Sequence, residues 1–271
     1  MKDDHCVRFL QWALPQLRMR WPGFRKVRKQ VCKRLQRRII ELELADAEAY
    51  RQYLQDHAAE WRQLDFLCRV TVSRFYRDKT VLHQVQAEVL PALARAAINA
   101  GDGLLRAWSA GCAMGEEAYT LLLIWSNALH DDFPGLDIDV IGSDIDNNML
   151  DRAQRGCYEP SSVKALPKQW LNSGFIQRDT EYCLDAHLRE KVKFFNHDIR
   201  DKTIDGPFHI IFCRNMAFTY FEHTLQLDLL KYLHANLVDG GALIIGGHES
   251  LSGGFSGFEQ WSKQRAIFRK I

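Results

Sequence analysis

Residues 106–120, Arg-Ala-Trp-Ser-Ala-Gly-Cys-Ala-Met-Gly-Glu-Glu-Ala-Tyr-Thr, constrain the fold more tightly than any other stretch of the chain. Leu104 to Trp108 is a short apolar run that reads as a strand. Gly111 and Gly115 fall where the backbone must bend and let a ligand approach, and helical spacing resumes at Glu116. A strand feeding a glycine-bearing turn and then a helix is the layout with which an open α/β sheet holds a nucleotide-like ligand. The pattern after Gly101 agrees. Candidate strands are Leu104–Ser109, Ile138–Ser143, Val192–Asn196, His209–Arg214, Ala242–Gly247 and Ala266–Lys270, with helices near 116–129, 146–155 and 222–237. This alternation predicts a largely parallel, Rossmann-like sheet in an α/β layer structure.

From Cys6 to about Tyr76 the texture is different. Apolar residues recur at three and four, Asp46 stands where a helix cap belongs before Ala47–Leu54, and no strand is evident. The reading is an N-terminal all-helical domain over 1–78, a connecting helix over 79–100, and a ligand-binding sheet domain over 101–271. An antiparallel hairpin over about 170–192 is expected to extend the main sheet.

Within the helical part, Arg18–Arg38 holds ten Lys or Arg and no acid, leaving 26 basic against 34 acidic residues elsewhere. Val27, Val31, Leu35 and Ile39 recur every four residues, so a helix there has one apolar stripe. Arg25, Lys26, Arg28, Lys29, Lys33, Arg34, Arg37 and Arg38 take the remaining surface. Such a face suits an acidic partner. The segment lacks the aromatic stacking pattern and the recognised motifs of nucleic-acid binding, so nucleic acid is not expected.

The chemistry is read from the second strand. Asp137–Asp144 is an apolar run ending in a carboxylate, placed where a ribose would be hydrogen-bonded. A phosphate-binding turn is normally free of acids because the helix N-terminus is reserved for an anion. Here that turn carries Glu116 and Glu117. Two carboxylates repel a pyrophosphate but can receive the ammonium of an amino-acid tail, which favours S-adenosylmethionine over a dinucleotide.

Other classes find little support. No apolar stretch is long enough to span a bilayer, and Met1–His5 lacks the layout of a secretory signal, so a cytoplasmic location is expected. The seven cysteines contain no Cys-x-x-Cys pair, and neither a disulfide framework nor a zinc site is expected. His248 beside Glu249 reads as strand-end hydrogen bonding rather than a metal site. No set of nucleophile, base and orienting acid has recognisable spacing.

Together, Thr71–Arg77, Trp108–Glu117, Ser143–Asp146, Arg155–Tyr158, Phe212–Asn215 with Tyr220-Phe221, and Gly247–Leu251 resemble the CheR family of chemotaxis-receptor glutamate methyltransferases over nearly the whole chain. The resemblance implies transfer of a methyl group from S-adenosylmethionine to glutamate side chains on the cytoplasmic helical domain of a receptor, met through Arg18–Arg38, with S-adenosylhomocysteine as product. It implies that Glu117 contacts the amino-acid end of the cofactor and Asp144 its ribose, and that Asp198 and Ile199 flank the adenine. Thr71, Ser73, Arg77 and Gly111 border the same pocket, and Cys213, Arg214 and Asn215 floor it. Arg77 and Tyr220 are the candidate catalytic residues. The chain departs from the family pattern at Thr71 and Asp198, where Asn is common, in Met216–Thr219, which is one residue longer, in the closing Gly-Gly-His-Glu-Ser, and in a shorter hairpin around Asp179–Glu190. Two other readings stay open: the same chemistry on another acceptor, and a cofactor-binding regulator without catalysis.

Overall fold

The structure is a computed structural model that describes residues 3–251, 253–261 and 265–271. Met1 and Lys2, part of the N-terminal stretch read above, lie outside the described residues. The chain divides into two compact units, one of Met1–Thr71 with Thr219–Gln226, the other of Val72–Phe218 with Leu227–Ile271.

The helical unit is built from α1 (Asp3–Gln16), α2 (Trp21–Phe24), α3 (Arg28–Glu41), α4 (Ala47–Asp56) and α5 (Glu60–Cys68). Apolar residues three and four apart put Cys6, Phe9, Leu10, Ala13 and Leu14 of α1 on one buried stripe, and Val31, Leu35 and Ile39 of α3 on another. Asp46 caps α4 by accepting from the amides of Glu48 at 3.0 Å and Ala49 at 2.9 Å. The basic face of α3 is not uniform. Arg38 pairs with the buried Glu60 at 2.8 Å, and Arg34 donates to the carbonyls of Leu67 and Arg69. Arg25, Lys26, Lys29, Lys33 and Arg37 are exposed. The sequence reading left Arg34 and Arg38 on the outer face, because periodicity marks the apolar stripe but not the polar groups that border it.

The sheet unit opens with α6 (Lys79–Gln84), a π-helical turn over Val85–Val89, and α7 (Leu90–Ala100), which ends on the left-handed Gly101. Next come β1 (Leu104–Ala110), α8 (Glu116–Ala128), β2 (Asp137–Asp144) and α9 (Asn147–Arg155). A small excursion follows, made of β3 (Cys157–Tyr158), α10 (Pro160–Val163), α11 (Lys168–Gly174), β4 (Phe175–Arg178), β5 (Glu181–Leu184) and α12 (Ala186–Arg189). The chain then returns through β6 (Val192–Asn196) and β7 (Phe208–Phe212), passes α13 (Ala217–Tyr220) and α14 (His223–Ala235), and ends in β8 (Leu237–Ile244), β9 (Phe258–Gln260) and β10 (Ile267–Lys270). The main sheet has the order β6-β2-β1-β7-β8-β10-β9. Its first five strands are parallel, β10 runs antiparallel to β8, and β9 antiparallel to β10. The chain therefore reverses direction across the sheet between β1 and β7, which opens a crevice at the carboxyl ends of those strands.

The structure corrects the sequence reading in three places. The hairpin β4–β5 does not extend the main sheet. It pairs with β3 in a separate three-stranded sheet, because Cys157 and Tyr158 lie opposite Cys183 and Tyr182. The strand expected to begin at Ala242 begins at Leu237. Gly240, at φ +73°, takes up a register shift between Phe208 and Ile210 of β7, so the Gly-Gly pair sits within the strand rather than ending a turn. Finally, where no disulfide framework was expected, four of the seven cysteines pair, Cys6 with Cys32 and Cys157 with Cys183, and Cys68, Cys112 and Cys213 are buried free thiols. Each pair spans 26 residues, so no local motif announces it. Packing of α1 on α3, and the β3–β5 register, bring the partners together. Among the described residues no helix is long and apolar enough to cross a membrane.

Candidate active site at the strand ends

The turn from β1 into α8 is shaped by its neighbours. Gly111 has φ +73°, and a Cβ there would lie 2.7 Å from Met216 Sδ, so the missing side chain makes room for the protein's own Met216. The amides of Gly111 and Cys112 donate to the carbonyl of Ser143 at 2.8 and 2.9 Å. Asp144, at the tip of β2, accepts from the Ala113 amide at 2.9 Å and the Asp146 amide at 3.0 Å. Those two bonds fix the direction of its carboxylate. Below the turn, the buried Trp108 indole donates to Ser143 Oγ at 2.9 Å and locks β1 to β2.

Glu117 and Arg214 form the centre of the crevice. The guanidinium of Arg214 donates to Glu117 Oε2 at 2.9 Å, to Asp78 Oδ2 at 2.8 Å and to the Arg77 carbonyl at 2.8 Å. Ser109 Oγ donates to the other oxygen of Glu117 at 2.8 Å. Burial pushes the Glu117 carboxyl above its ordinary value against the opposing pull of Arg214 and Ser109. Burial also acts upward on Asp78, but there the Arg214 charge and hydrogen bonds prevail and its carboxyl lies below the usual range. Arg214 Nε is buried and has no hydrogen-bond partner among the described residues, so the crevice keeps one donor in reserve. Cys213 is fully buried beneath, its thiol pushed up by burial.

Segment 73–78 crosses this region in a constrained conformation. Tyr76 and Asp78, on either side of Arg77, are left-handed at φ 56° and 61°, as are Ala113 and Asn215. Non-glycine residues in that region cost of order 1–3 kcal/mol each and persist only where the surroundings over-determine them. Here they do. The Phe75 amide donates to the Ser162 carbonyl at 3.1 Å, the Tyr76 amide to Thr120 Oγ1 at 3.3 Å, and the Phe75 ring stands edge-on to Tyr158 and Phe175. Arg77 donates to the Val72 carbonyl at 2.7 Å. Asn215 is held by Glu249, whose Oε2 accepts from the amides of both Asn215 and Gly246 at 2.7 Å. That is the strand-end hydrogen bonding expected of Glu249.

The structure thus brings Ser73, Arg77, Gly111, Glu117, Asp144, Cys213, Arg214 and Asn215 into one unit. Thr71 and Tyr220 belong to the helical unit. Tyr220 packs its ring against Phe24 at 4.9 Å, and its carbonyl accepts from the Arg20 amide at 2.8 Å. Asp198 and Ile199 follow β6. Asp198 turns its carboxylate onto its own neighbour, accepting from the Arg200 amide and Nε at 2.9 Å, while Ile199 is buried. The two glutamates of the turn also part company. Glu116 is fully buried with the hydroxyls of Ser73 and Ser162 beside it, and its Oε2 has no partner among the described residues. Burial raises its carboxyl above the ordinary value, so it cannot serve the turn surface as the sequence reading allowed. Asp78 and Ser109 escaped that reading. The only signal was position, one residue after Arg77 and one strand residue before the turn.

Residues 71–267 match the family described as CheR methyltransferase, SAM binding domain. The chain belongs to this family. Its cofactor is S-adenosylmethionine, and it is a methyltransferase. This CheR-family chain is 32% identical over 231 residues to chemotaxis protein methyltransferase 2 of Vibrio cholerae, covering 82% of its own length and 77% of the relative's. It is 31% identical over 233 residues to the chemotaxis protein methyltransferase of Salmonella typhimurium, with 83% and 77% covered, and 30% identical to that of Escherichia coli K12 over the same shares. Among solved structures, a putative S-adenosylmethionine-dependent methyltransferase from Methanococcus maripaludis covers 75% of this chain and 96% of its own at 12% identity and a TM-score of 0.37, too slight a likeness to carry an argument.

Proposed function

We propose that this CheR-family enzyme methylates glutamate side chains on the helical cytoplasmic domain of a chemoreceptor, giving glutamate methyl esters and S-adenosylhomocysteine. The observation that carries the reading is the cluster of the buried Arg214 with Glu117 and Asp78 at the ends of β1 and β7, beside the Gly111 turn. The residues fit the cofactor. The left-handed Gly111 turn packs on Met216, Asp144 is pre-oriented by two backbone amides, and the buried Arg214 Nε is a donor without a partner among the described residues. When bound, S-adenosylmethionine supplies a methyl on a positively charged sulfur, already activated for transfer.

The acceptor carboxylate is anionic at neutral pH, so no residue of this chain has to remove a proton. A bound S-adenosylmethionine would supply the methyl carbon and would keep the electron pair of its carbon–sulfur bond, so the acceptor oxygen would need only to be held in line with that bond. What remains for the protein is alignment and exclusion of water, worth ~7–11 kcal/mol when near-attack geometry is reached. In this reading Glu117 receives the ammonium of the amino-acid tail and Asp144 the ribose hydroxyls. Thr71, Ser73 and the Cys213–Asn215 loop border the pocket. Ile199 lines the adenine side, and Asp198, occupied by Arg200, shapes that turn. Arg77 steers the incoming carboxylate and Tyr220 orients it. The helical unit is the substrate-side domain, its exposed α3 cations meeting the acidic receptor helix.

The test is transfer of labelled methyl from S-adenosylmethionine to a receptor cytoplasmic domain as a base-labile ester. The expected result is an ester whose yield falls with added salt and is abolished or nearly so in Arg77→Ala. If no base-labile label appears on receptor domains while the enzyme binds S-adenosylhomocysteine, the substrate assignment is wrong. Ester on a different acceptor would then select the same chemistry on another substrate.

A further inference from the structure

A second concave feature lies in the sheet unit and shares Asp78 with the cluster described above. It is a cleft of about 510 Å³ lined by Arg74, Tyr76, Asp78, Lys79, Lys164 and Ala165. None of Gly111, Glu117 or Asp144 is in its wall. Three of its six lining residues are cations, and all three are exposed at the surface. Asp78 is the lone carboxylate of the wall. It is already committed, accepting from Arg214 at 2.8 Å and from the Gly247 amide at 3.4 Å. Arg74, Lys79 and Lys164 make no ion pair or side-chain hydrogen bond among the described residues. Like charges gathered around a concave surface raise each other's energy, and the arrangement is relieved when an anion enters.

The wall is also rigid and joined to the transfer site. Arg74, Tyr76, Asp78 and Lys79 come from the segment that carries Arg77, the residue proposed to meet the acceptor carboxylate. The left-handed Tyr76 and Asp78 fix the directions in which this segment presents its side chains. The Tyr76 ring is buried against Trp170 and His83, which props the floor of the cleft, and Lys164 closes it from the turn after α10. Through Asp78 the wall touches Arg214, and through Arg214 it touches Glu117.

We infer that this cleft binds an acidic side chain neighbouring the methyl-accepting glutamate, so that Arg74, Lys79 and Lys164 select which glutamates of the receptor are methylated. The inference rests on the glutamate-methyltransferase reading above and names a recognition element within it. The occupant is a carboxylate-bearing stretch of the protein substrate. An acceptor glutamate placed at Arg77 brings its acidic neighbours within reach of the 74–79 segment, and the volume holds one or two such side chains.

The experiment uses the full chain and a receptor cytoplasmic domain. The variant carries Arg74→Glu, Lys79→Glu and Lys164→Glu, all on exposed side chains, with Lys164→Glu alone as a milder companion. S-adenosylhomocysteine affinity, measured by calorimetry, reports the fold and the cofactor pocket and is expected to stay within about twofold, because none of the three touches that pocket. The KM for the receptor domain is expected to rise about tenfold or more in the triple variant and about threefold in Lys164→Glu, with kcat nearly kept and a shallower salt dependence. Mapping the esters should show loss at glutamates with acidic neighbours first. An unchanged KM and an unchanged ester map in variants that bind S-adenosylhomocysteine normally would overturn the inference while leaving the enzyme a glutamate methyltransferase. Inorganic phosphate that binds the unaltered enzyme at matched ionic strength, loses that binding in the triple variant and leaves the receptor KM unmoved would mark a small-anion site and overturn it too. Absence of any ester from the unaltered enzyme would sink the underlying reading, a separate result.

Discussion

Arg214 and the cations of α3 carry the same kind of charge under opposite conditions. Arg214 is buried, with only 3% of its side chain exposed, and divides its donors between two carboxylates and a carbonyl. Lys29, Lys33 and Arg37 stand in water. The first arrangement is a fixed electrostatic frame, costly to assemble and costlier to break halfway. The second is a field, worth little to stability and available to a partner. Both come from basic residues in one chain, and the difference lies in what surrounds them.

The sharpest way to break that contrast is Arg214→Met. Removing it leaves the partly buried Glu117 and Asp78 without their counter-charge, and a loss of about 3 kcal/mol is expected in urea unfolding, together with loss of S-adenosylhomocysteine binding. A loss below about 1 kcal/mol would mean that the cluster is looser or wetter than its distances imply. Gly111→Ala should come next, at about 1–2 kcal/mol, because an L side chain at φ +73° is strained and its Cβ meets Met216. If Met216→Ala restores part of that loss, the contact contributes; if it restores none, the backbone conformation carries the whole effect.

Glu116 offers a smaller effect with a definite sign. Burial raises its carboxyl, so the folded state holds the proton more tightly than the unfolded chain does. The associated stability is full below the unfolded value and is lost as pH rises through the raised folded value. Glu116→Gln should remove this pH-dependent loss, narrowing the stability difference between acidic and neutral pH in denaturant titrations. An identical pH profile in the two proteins would refute the assignment. The smallest stability effect is expected from Lys29→Glu, Lys33→Glu and Arg37→Glu on α3, each within about 0.5 kcal/mol of the parent. Their KM for a receptor domain should nonetheless rise and lose salt sensitivity. A large stability change there, with KM unmoved, would reverse the comparison.

The parts of the fold that were legible in the sequence are those governed by local periodicity. β1, β2, β6 and β10 fall within a residue or two of the runs read for them, and α8 and α9 begin where the turn and the Asp146 cap require. The strand before Ile244 was read too short, because a bulge at Gly240 lets pairing continue through a pair of glycines that looks like a break. The site was half legible. Glu117, Asp144 and Arg214 stand in motifs whose spacing marks them. Yet the separation of Glu116 from Glu117 was hidden, because which of two adjacent glutamates turns inward depends on Ser73, Ser109 and Ser162, dozens of residues away in sequence or set by strand pleat.

By itself the sequence determined the strand–turn–helix entry, the helical stripe of α3 and the concentration of positive charge on it, since each follows from residue type and short-range spacing. Only the tertiary structure decided that Arg214 joins Glu117 to Asp78 across 97 and 136 residues, that Cys157 finds Cys183, and that β3 draws the hairpin into a sheet of its own. The physical reason is the same in each case. A buried charge, thiol or strand edge is satisfied by whatever group packing delivers to it, and that group is chosen by the fold rather than by its distance along the chain.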